Sequence, residues 1–250
     1  MRIDKEPAFI LHARFYKETS LLLDVFTQNH GRLSMIAKGA RRPHSELRGK
    51  LLSFQPLEVG FYGKNELKNL TRVEWQGGVP LPQGEALFCA YYANELLRFF
   101  LQPADSNARL FEEYFLLISA LGAPLNAQDL EKNLRNFEVA LLKLLGYSPF
   151  WGRDSKEREI VANCTYRYQL ENATLLPETA ENAESSEDFL LNGIVLSGQT
   201  LIDLSRREFE NPATRREAKF LMRRIFAYHL DGKNFLSREI LREMHGFKNV

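Results

Sequence analysis

The chain has 250 residues, 44% hydrophobic and 26% charged, the balance of a folded protein with core enough for one large domain or two smaller ones. A formal net charge of +1 excludes a uniformly basic or acidic chain, and no stretch reaches the roughly 18 apolar residues that a membrane span needs. The start, MRIDKEPAF, lacks an apolar signal core, and Cys89 and Cys164 lie far apart, so a reduced cytoplasmic protein without a disulfide framework is expected.

The near-neutral total hides an uneven distribution. Residues 1–80 carry 13 Lys/Arg against 8 Asp/Glu, and residues 201–250 carry 11 against 7. Between them, 81–150 carry 5 against 8 and 151–200 carry 4 against 9. Basic ends that flank an acidic middle suggest a polyanion footprint.

The first 80 residues read as strands. In AFILHARF, Phe9, Leu11 and Ala13 alternate with His12 and Arg14. TSLLLDVFTQ is a second run, and NHG (29–31) marks a turn. RLSMIAK follows, with Leu33, Met35 and Ala37 on one face. LEVGFY, with Leu57, Val59 and Phe61 on one face, and LKNLTRVEW pair across GKNE. Five short strands without a helical period predict a small closed β-barrel.

Between the third and fourth strands lies KGARRPHSELRGK (38–50), with Lys38, Arg41, Arg42, Arg48, Lys50 and His44 against the single acid Glu46. Gly39, Pro43 and Gly49 prevent one continuous helix, so the charge is expected on a loop. Arg14, Lys64 and Lys68 add cations from strand ends and turns, with Phe15, Tyr16, Tyr62 and Trp75 nearby. Cations that neutralise phosphates beside aromatic faces are what a nucleic-acid surface needs, although packing at the rim also accounts for the aromatics.

From about Pro82 the period becomes helical. GEALFCAYYANELLRFFL is apolar on nearly all sides. ARLFEEYFLLISAL places Leu110, Phe111, Tyr114, Leu117, Ile118 and Leu121 on one stripe. LEKNLRNFEVALLKLLGY does the same with Leu130, Leu134, Phe137, Leu141 and Leu145, and ends at a capping Gly146. Residues 150–195 are irregular, with CTYRYQL as a strand and the acidic 178–188 as a mobile loop. Asn211 and Pro212 open a helix in which Ala218, Leu221, Met222, Ile225 and His229 face inward. On it Arg215, Lys219 and Arg223 fall at i, i+4 and i+8, with Arg216 and Arg224 beside them. Such a face serves DNA or pairs with acids on neighbouring helices. Ser237 is expected to cap a last helix, REILREM.

Catalytic motifs are missing. There is no phosphate loop, no zinc-spaced histidine pair among His12, His30, His44, His229 and His245, no C-x-x-C and no G-x-S-x-G elbow. A binding protein rather than an enzyme is expected.

Several stretches together resemble the RecO family of bacterial recombination mediators: ETSLLLDVFTQNHGRLSMIAKGARRP, FQPLEV, YYANELL, LRNFEVALLKLLGY, TYRY and GKNFLSREIL, in the family's order. The resemblance implies an α+β chain with a five-stranded OB-fold β-barrel for nucleic acid over 1–80. An α-helical domain over 81–250 would follow, with a small irregular or β insert at about 150–195. It implies a nucleoid-associated mediator of DNA repair in the RecF pathway. Such a protein binds single- and double-stranded DNA, anneals complementary strands and uses no cofactor. Its partners would be RecR, the C-terminal tail of single-strand-binding protein (SSB) and, functionally, RecF and RecA, which it helps to load. By position, Lys38, Arg41 and Arg42 become DNA contacts. Arg135, at the rim of a leucine pocket with Leu134 and Leu142, would meet the carboxylates of the SSB tail. The DNA-binding set expected from charge and resemblance together is Arg14, Lys38, Arg41, Arg42, Arg48, Lys50, Lys64, Arg215, Arg216, Lys219 and Arg223. Many family members carry a four-cysteine zinc module; here 150–170 holds only Cys164, and no zinc is expected.

Other functions fit the same residues. An OB-fold RNA-binding protein would prefer RNA of matched sequence. A helical adaptor for an acidic protein tail would bind that tail without the barrel. A metal-dependent nuclease would cleave strands in Mg²⁺.

Overall fold

A computed structural model describes residues 1–148, 151–177, 193–230, 235–237, 239 and 240. The acidic stretch 178–188, His245 and most of REILREM lie outside the described residues. The chain is α+β and forms two compact units, Met1–Asn126 with the described part of Phe235–Val250, and Ala127–Asn234. Among the described residues no helix is long and apolar enough to cross a membrane.

The first unit is built on strands β1 (Arg2–Tyr16), β2 (Ser20–Thr27), β3 (Gly31–Ala37), β4 (Leu57–Tyr62) and β5 (Leu67–Trp75). They close a barrel in the order β1-β2-β3-β5-β4. Closure depends on the length of β1: its 15 residues span about 50 Å at roughly 3.3 Å each. Arg2–Ala8 therefore pairs with β4 while Ala8–Tyr16 pairs with β2. A short parallel contact, Ser34–Ile36 on β3 against Leu67–Asn69 on β5, completes the ring. This is the strand arrangement of an OB fold. Leu33, Met35 and Ala37 on β3, and Leu57, Val59 and Phe61 on β4, point into the barrel as their alternation predicts.

Strand β1 departs from simple alternation. Ala8 and Ile10 fill the barrel, yet Phe9 is also buried, outside it. There it packs on Phe111 and Tyr114 with ring centroids 5.4 and 5.0 Å away. A bulge between Ile10 and His12 sets Leu11 aside from the ladder. The Leu11 carbonyl instead accepts a hydrogen bond from Asn94 Nδ2 at 2.9 Å, and the Tyr114 hydroxyl donates to Asn94 Oδ1. Burial pushes the Tyr114 hydroxyl far above the usual phenol range, so it remains a donor.

Asn94 lies on α1 (Glu85–Phe100), and Phe111 and Tyr114 lie on α2 (Ala108–Leu121), whose buried stripe is the predicted one. Helix α1 is fixed along the barrel by Arg98 Nε to Asp24 Oδ2 at 2.9 Å. The chain just after it is held by Arg32 Nε, which donates to the Leu101 carbonyl at 3.1 Å. Gly31 ends the NHG turn at φ +68°, and a Cβ there would sit 2.1 Å from the Asp105 carbonyl oxygen. Ser237 is a correction to the expected cap. It lies within the helical residues, and its backbone N–H and Oγ bind the Glu95 carboxylate.

The second unit comprises α3 (Ala127–Leu144), β6 (Thr165–Gln169), β7 (Thr174–Pro177), β8 (Gly193–Ser197), α4 (Gly198–Arg206) and α5 (Pro212–His229). The strands form a small sheet in the order β7-β6-β8. Asn211 caps α5 as expected, its Oδ1 accepting from the Ala213 N–H at 2.9 Å. Gly146 ends α3 at φ +76°, and the Tyr147 N–H returns to the Leu142 carbonyl at 2.8 Å. Two expectations are corrected. On α3 burial is centred on 135–142 and takes in Arg135 and Glu138, while Leu130, Leu134 and Leu145 are half-buried. His229 is also half-buried rather than inward, with its ring 4.9 Å from that of Tyr147.

Replacing Asn94 with Ala removes the bond to the Leu11 carbonyl and the bond from the Tyr114 hydroxyl together. The expected loss is about 2–3 kcal/mol in urea unfolding, against about 1 kcal/mol for Tyr114→Phe. Burial holds the His229 imidazole below its ordinary value of 6.5. The unfolded chain therefore takes up that proton first as pH falls. The His229 contribution is intact above 6.5 and is lost below it, down to the lower folded value. Wild type should lose more stability than His229→Gln between neutral pH and pH ~5.5, read from paired denaturation midpoints.

Candidate nucleic-acid interface

Strand directions sort the barrel's loops into two ends. Because β1, β3 and β5 run the same way, all three finish where β2 and β4 begin. That end carries the β1–β2 turn (17–19), the 38–56 connection and Trp75. The opposite end carries the β2–β3 turn (28–30) and the β4–β5 turn (63–66).

The 38–56 connection is a chain of tight turns. The N–H groups of Arg42, Ser45, Arg48 and Lys50 each reach the carbonyl three residues back, at 3.0–3.1 Å. Ala40 and Leu51 are buried in the barrel core, and Leu47 packs against it. With Ala40, Leu47 and Leu51 turned in, the segment leaves Lys38, Arg41, Arg42, His44, Arg48 and Lys50 exposed, along with Leu52. Arg41 ties it to the β1–β2 turn. Its backbone N–H donates to the Thr19 carbonyl at 2.9 Å and its Nη1 to the Glu18 carbonyl at 3.0 Å. Its guanidinium carbon stands 4.0 Å from the centre of the Phe15 ring.

Arg14, exposed near the end of β1, joins this group. Sequence reasoning missed Lys17, whose amine lies 5.5 Å from the Tyr16 ring and whose φ of +53° marks a tight turn. The break between two strand runs at YKETS was the available signal. Among the described residues, Lys38, Arg41, Arg42, Arg48 and Lys50 form no ion pair. The acids here are Glu18, Glu46, Glu74 and Glu58, the last opposite Glu74 and 3.7 Å from Lys5 Nζ. Glu74 lies 2.5 Å from Arg72 Nη2, and hydrogen bonding to Arg72 holds its carboxyl below the usual range.

The remaining expected cations stand on other elements. Lys64 is in the β4–β5 turn at the other end, with Tyr62. Lys68, counted as a surface cation, is instead buried, its Nζ donating to the Asn65 carbonyl at 2.7 Å. Arg215, Arg216, Lys219 and Arg223 stand on α5 in the second unit. There Arg215 Nη1 donates to the carbonyls of Phe209 and Glu210 at 2.9 and 2.7 Å. Lys219 pairs with Glu131 at 3.3 Å, while Arg216 and Arg223 are exposed.

Arg135 does not lie at a rim. It is 4% exposed, and its Nη1 stands 2.6 Å from Glu138 Oε2, a close ion pair too bent for an aligned hydrogen bond. The turn of α3 that buries Phe137 and Leu141 carries both charges inward, and Leu142 is buried with them. Leu134 is half-buried. Among the described residues no group of three His, Cys, Asp or Glu side chains could hold a metal ion.

Family models match both parts of the chain, "Recombination protein O N terminal" over residues 1–78 and "Recombination protein O C terminal" over residues 81–239. The chain belongs to the RecO family. It is 42% identical over 243 residues to the DNA repair protein RecO of Dechloromonas aromatica, covering 97% of each chain. It is similar to the RecO proteins of Polynucleobacter asymbioticus, at 41% identity over 98% of each chain, and of an Azoarcus species, at 39% over 97%.

Because Arg41 bridges two loops, Arg41→Ala should free the 38–50 segment. Tryptic cleavage after Arg48 is expected to accelerate about fivefold or more, with the unfolding midpoint little changed. Arg41→Lys should behave like Ala, since an ammonium lacks the fork and flat face of the guanidinium.

Proposed function

We propose that the chain is a recombination mediator in DNA repair. It binds single- and double-stranded DNA, anneals complementary strands and helps RecA load onto DNA coated by SSB. The barrel, residues 1–80, is the DNA-binding domain, and residues 81–250 are the helical domain that meets the acidic SSB tail; RecR is a further partner. It acts by binding and placing strands, without a catalytic step or cofactor.

The observation that supports this reading is the cation group at one end of the barrel. Lys38, Arg42, Arg48 and Lys50 are exposed and free of ion pairs among the described residues, so phosphates need displace no internal partner. Contacts to phosphate leave base edges free, and annealing requires those edges. Arg216 and Arg223 on α5 are the better candidates for a second DNA contact. Arg215 and Lys219 already hold backbone and carboxylate partners. On α3 the SSB tail would have to exchange with Glu138 to reach Arg135.

Binding of a labelled single-stranded oligonucleotide, followed by fluorescence anisotropy across salt concentrations, tests the reading. Each phosphate neutralised contributes about −0.7 to the slope of log K against log salt. Replacing Lys38, Arg42 and Arg48 with Ala should reduce the slope by about 2 and slow annealing in parallel. An unchanged slope and annealing rate would contradict the proposal.

A further inference from the structure

We infer that the loop end of the barrel holds unpaired bases by stacking them on Trp75 and Phe15. The cations bring the strand in, and the two rings make this surface selective for single strands. The inference rests on the DNA-binding reading above and names the part of that surface that would distinguish single strands from duplex.

Aromatic side chains this exposed are uncommon on a strand of a closed barrel. Phe15 is 77% exposed and Trp75 is 61% exposed, whereas Phe9, Phe26 and Phe61 of the same barrel are fully buried. Both rings stand at the end that carries the unpaired cations, since β1 and β5 finish there.

Each ring is also fixed in place. Trp75 Nε1 donates to Gln55 Oε1 at 2.5 Å. Gln55 is itself buried, and its Nε2 donates to the Val79 carbonyl at 3.1 Å. The indole's polar edge is thus satisfied from inside while its body remains in solvent. Phe15 has no polar handle, and the Arg41 guanidinium lies against it at 4.0 Å. That guanidinium cannot swing away cheaply, because its Nη1 is held by the Glu18 carbonyl. Rings immobilised before binding lose little rotamer freedom when a base arrives, which is how exposed aromatics gain affinity.

The chemistry sets the ligand class. A base in a duplex has both faces covered by its neighbours, so only unpaired or end bases reach an indole or phenyl face. Stacking uses the base faces and leaves the pairing edges open. Once a complementary strand pairs, the bases leave the rings for the duplex stack, and the product is held by phosphate contacts alone. Tyr62, 45% exposed at the opposite end with Lys64, does not belong to this platform.

The test uses the full chain and two probes of equal length, an oligothymidylate and an abasic oligonucleotide with the same phosphates. The chain has two tryptophans, and Trp151 is buried, so emission changes report mainly on Trp75. Oligothymidylate should quench the emission and bind on the order of tenfold tighter per engaged ring than the abasic strand. Phe15→Leu with Trp75→Leu should bring the two probes to equal affinity with the salt slope unchanged. Trp75→Phe, which keeps a ring without the Gln55 bond, should retain most of the difference and controls for misfolding. Equal affinity of wild type for both probes, or equal quenching by duplex, would overturn the inference while leaving phosphate binding intact. Binding of neither probe would overturn the DNA-binding reading itself, and this inference with it.

Discussion

The double pairing of β1 is the constraint on which the candidate site depends. A single 15-residue strand serves β4 with its first half and β2 with its second, and that sharing closes the barrel. Closure then fixes which loops meet. The β1–β2 turn and the 38–56 connection share one end because β1 and β3 run parallel, and Arg41 fastens one to the other. A bulge in the half of β1 that pairs with β2 sets Leu11 aside from the ladder, and Asn94 on α1 takes up its carbonyl. One irregularity in β1 thereby joins the barrel to the helices packed on it.

The functional surface follows from how the 38–56 segment spends its residues. Its small and apolar members, Ala40, Leu47 and Leu51, anchor it to the core, and Gly39 adopts a positive φ that permits the first tight turn. What remains outside includes Lys38, Arg41, Arg42, Arg48 and Lys50 against the single acid Glu46, and among the described residues those five cations form no ion pair. Several cations elsewhere hold internal partners: Arg98 to Asp24, Lys219 to Glu131, Arg135 to Glu138. The loop end of the barrel gathers five cations, Lys38, Arg41, Arg42, Arg48 and Lys50, on one segment.

Much of this was legible in the sequence, for physical reasons that differ by element. Strands β3 and β4 bury one face, so period-two alternation gave the inward residues correctly. Strand β1 buries both faces through its middle and carries a bulge, so alternation could not describe it. The stripe on α2 was read in full because the helix packs on one side. On α3 an arginine and a glutamate enter the interior as a pair, which no hydrophobic pattern reveals, and so Arg135 was expected at a surface it does not occupy. The basic run at 38–50 was evident from composition. That Lys64 stands at the opposite end of the barrel, and that Lys68 turns back onto its own hairpin, depends on strand direction and local hydrogen bonds. For Phe15 and Trp75 the sequence left stacking faces and packing at the rim both open, and only the structure shows the two rings exposed.

The most direct measurement of the central claim is amide hydrogen exchange of the full chain with and without a saturating single-stranded oligonucleotide. Added protection is expected at residues 17–19 and 38–50, where backbone and cations would meet the strand, with the 63–66 turn unchanged. Protection confined to α5 or to the 63–66 turn, with 38–50 unaffected, would contradict it.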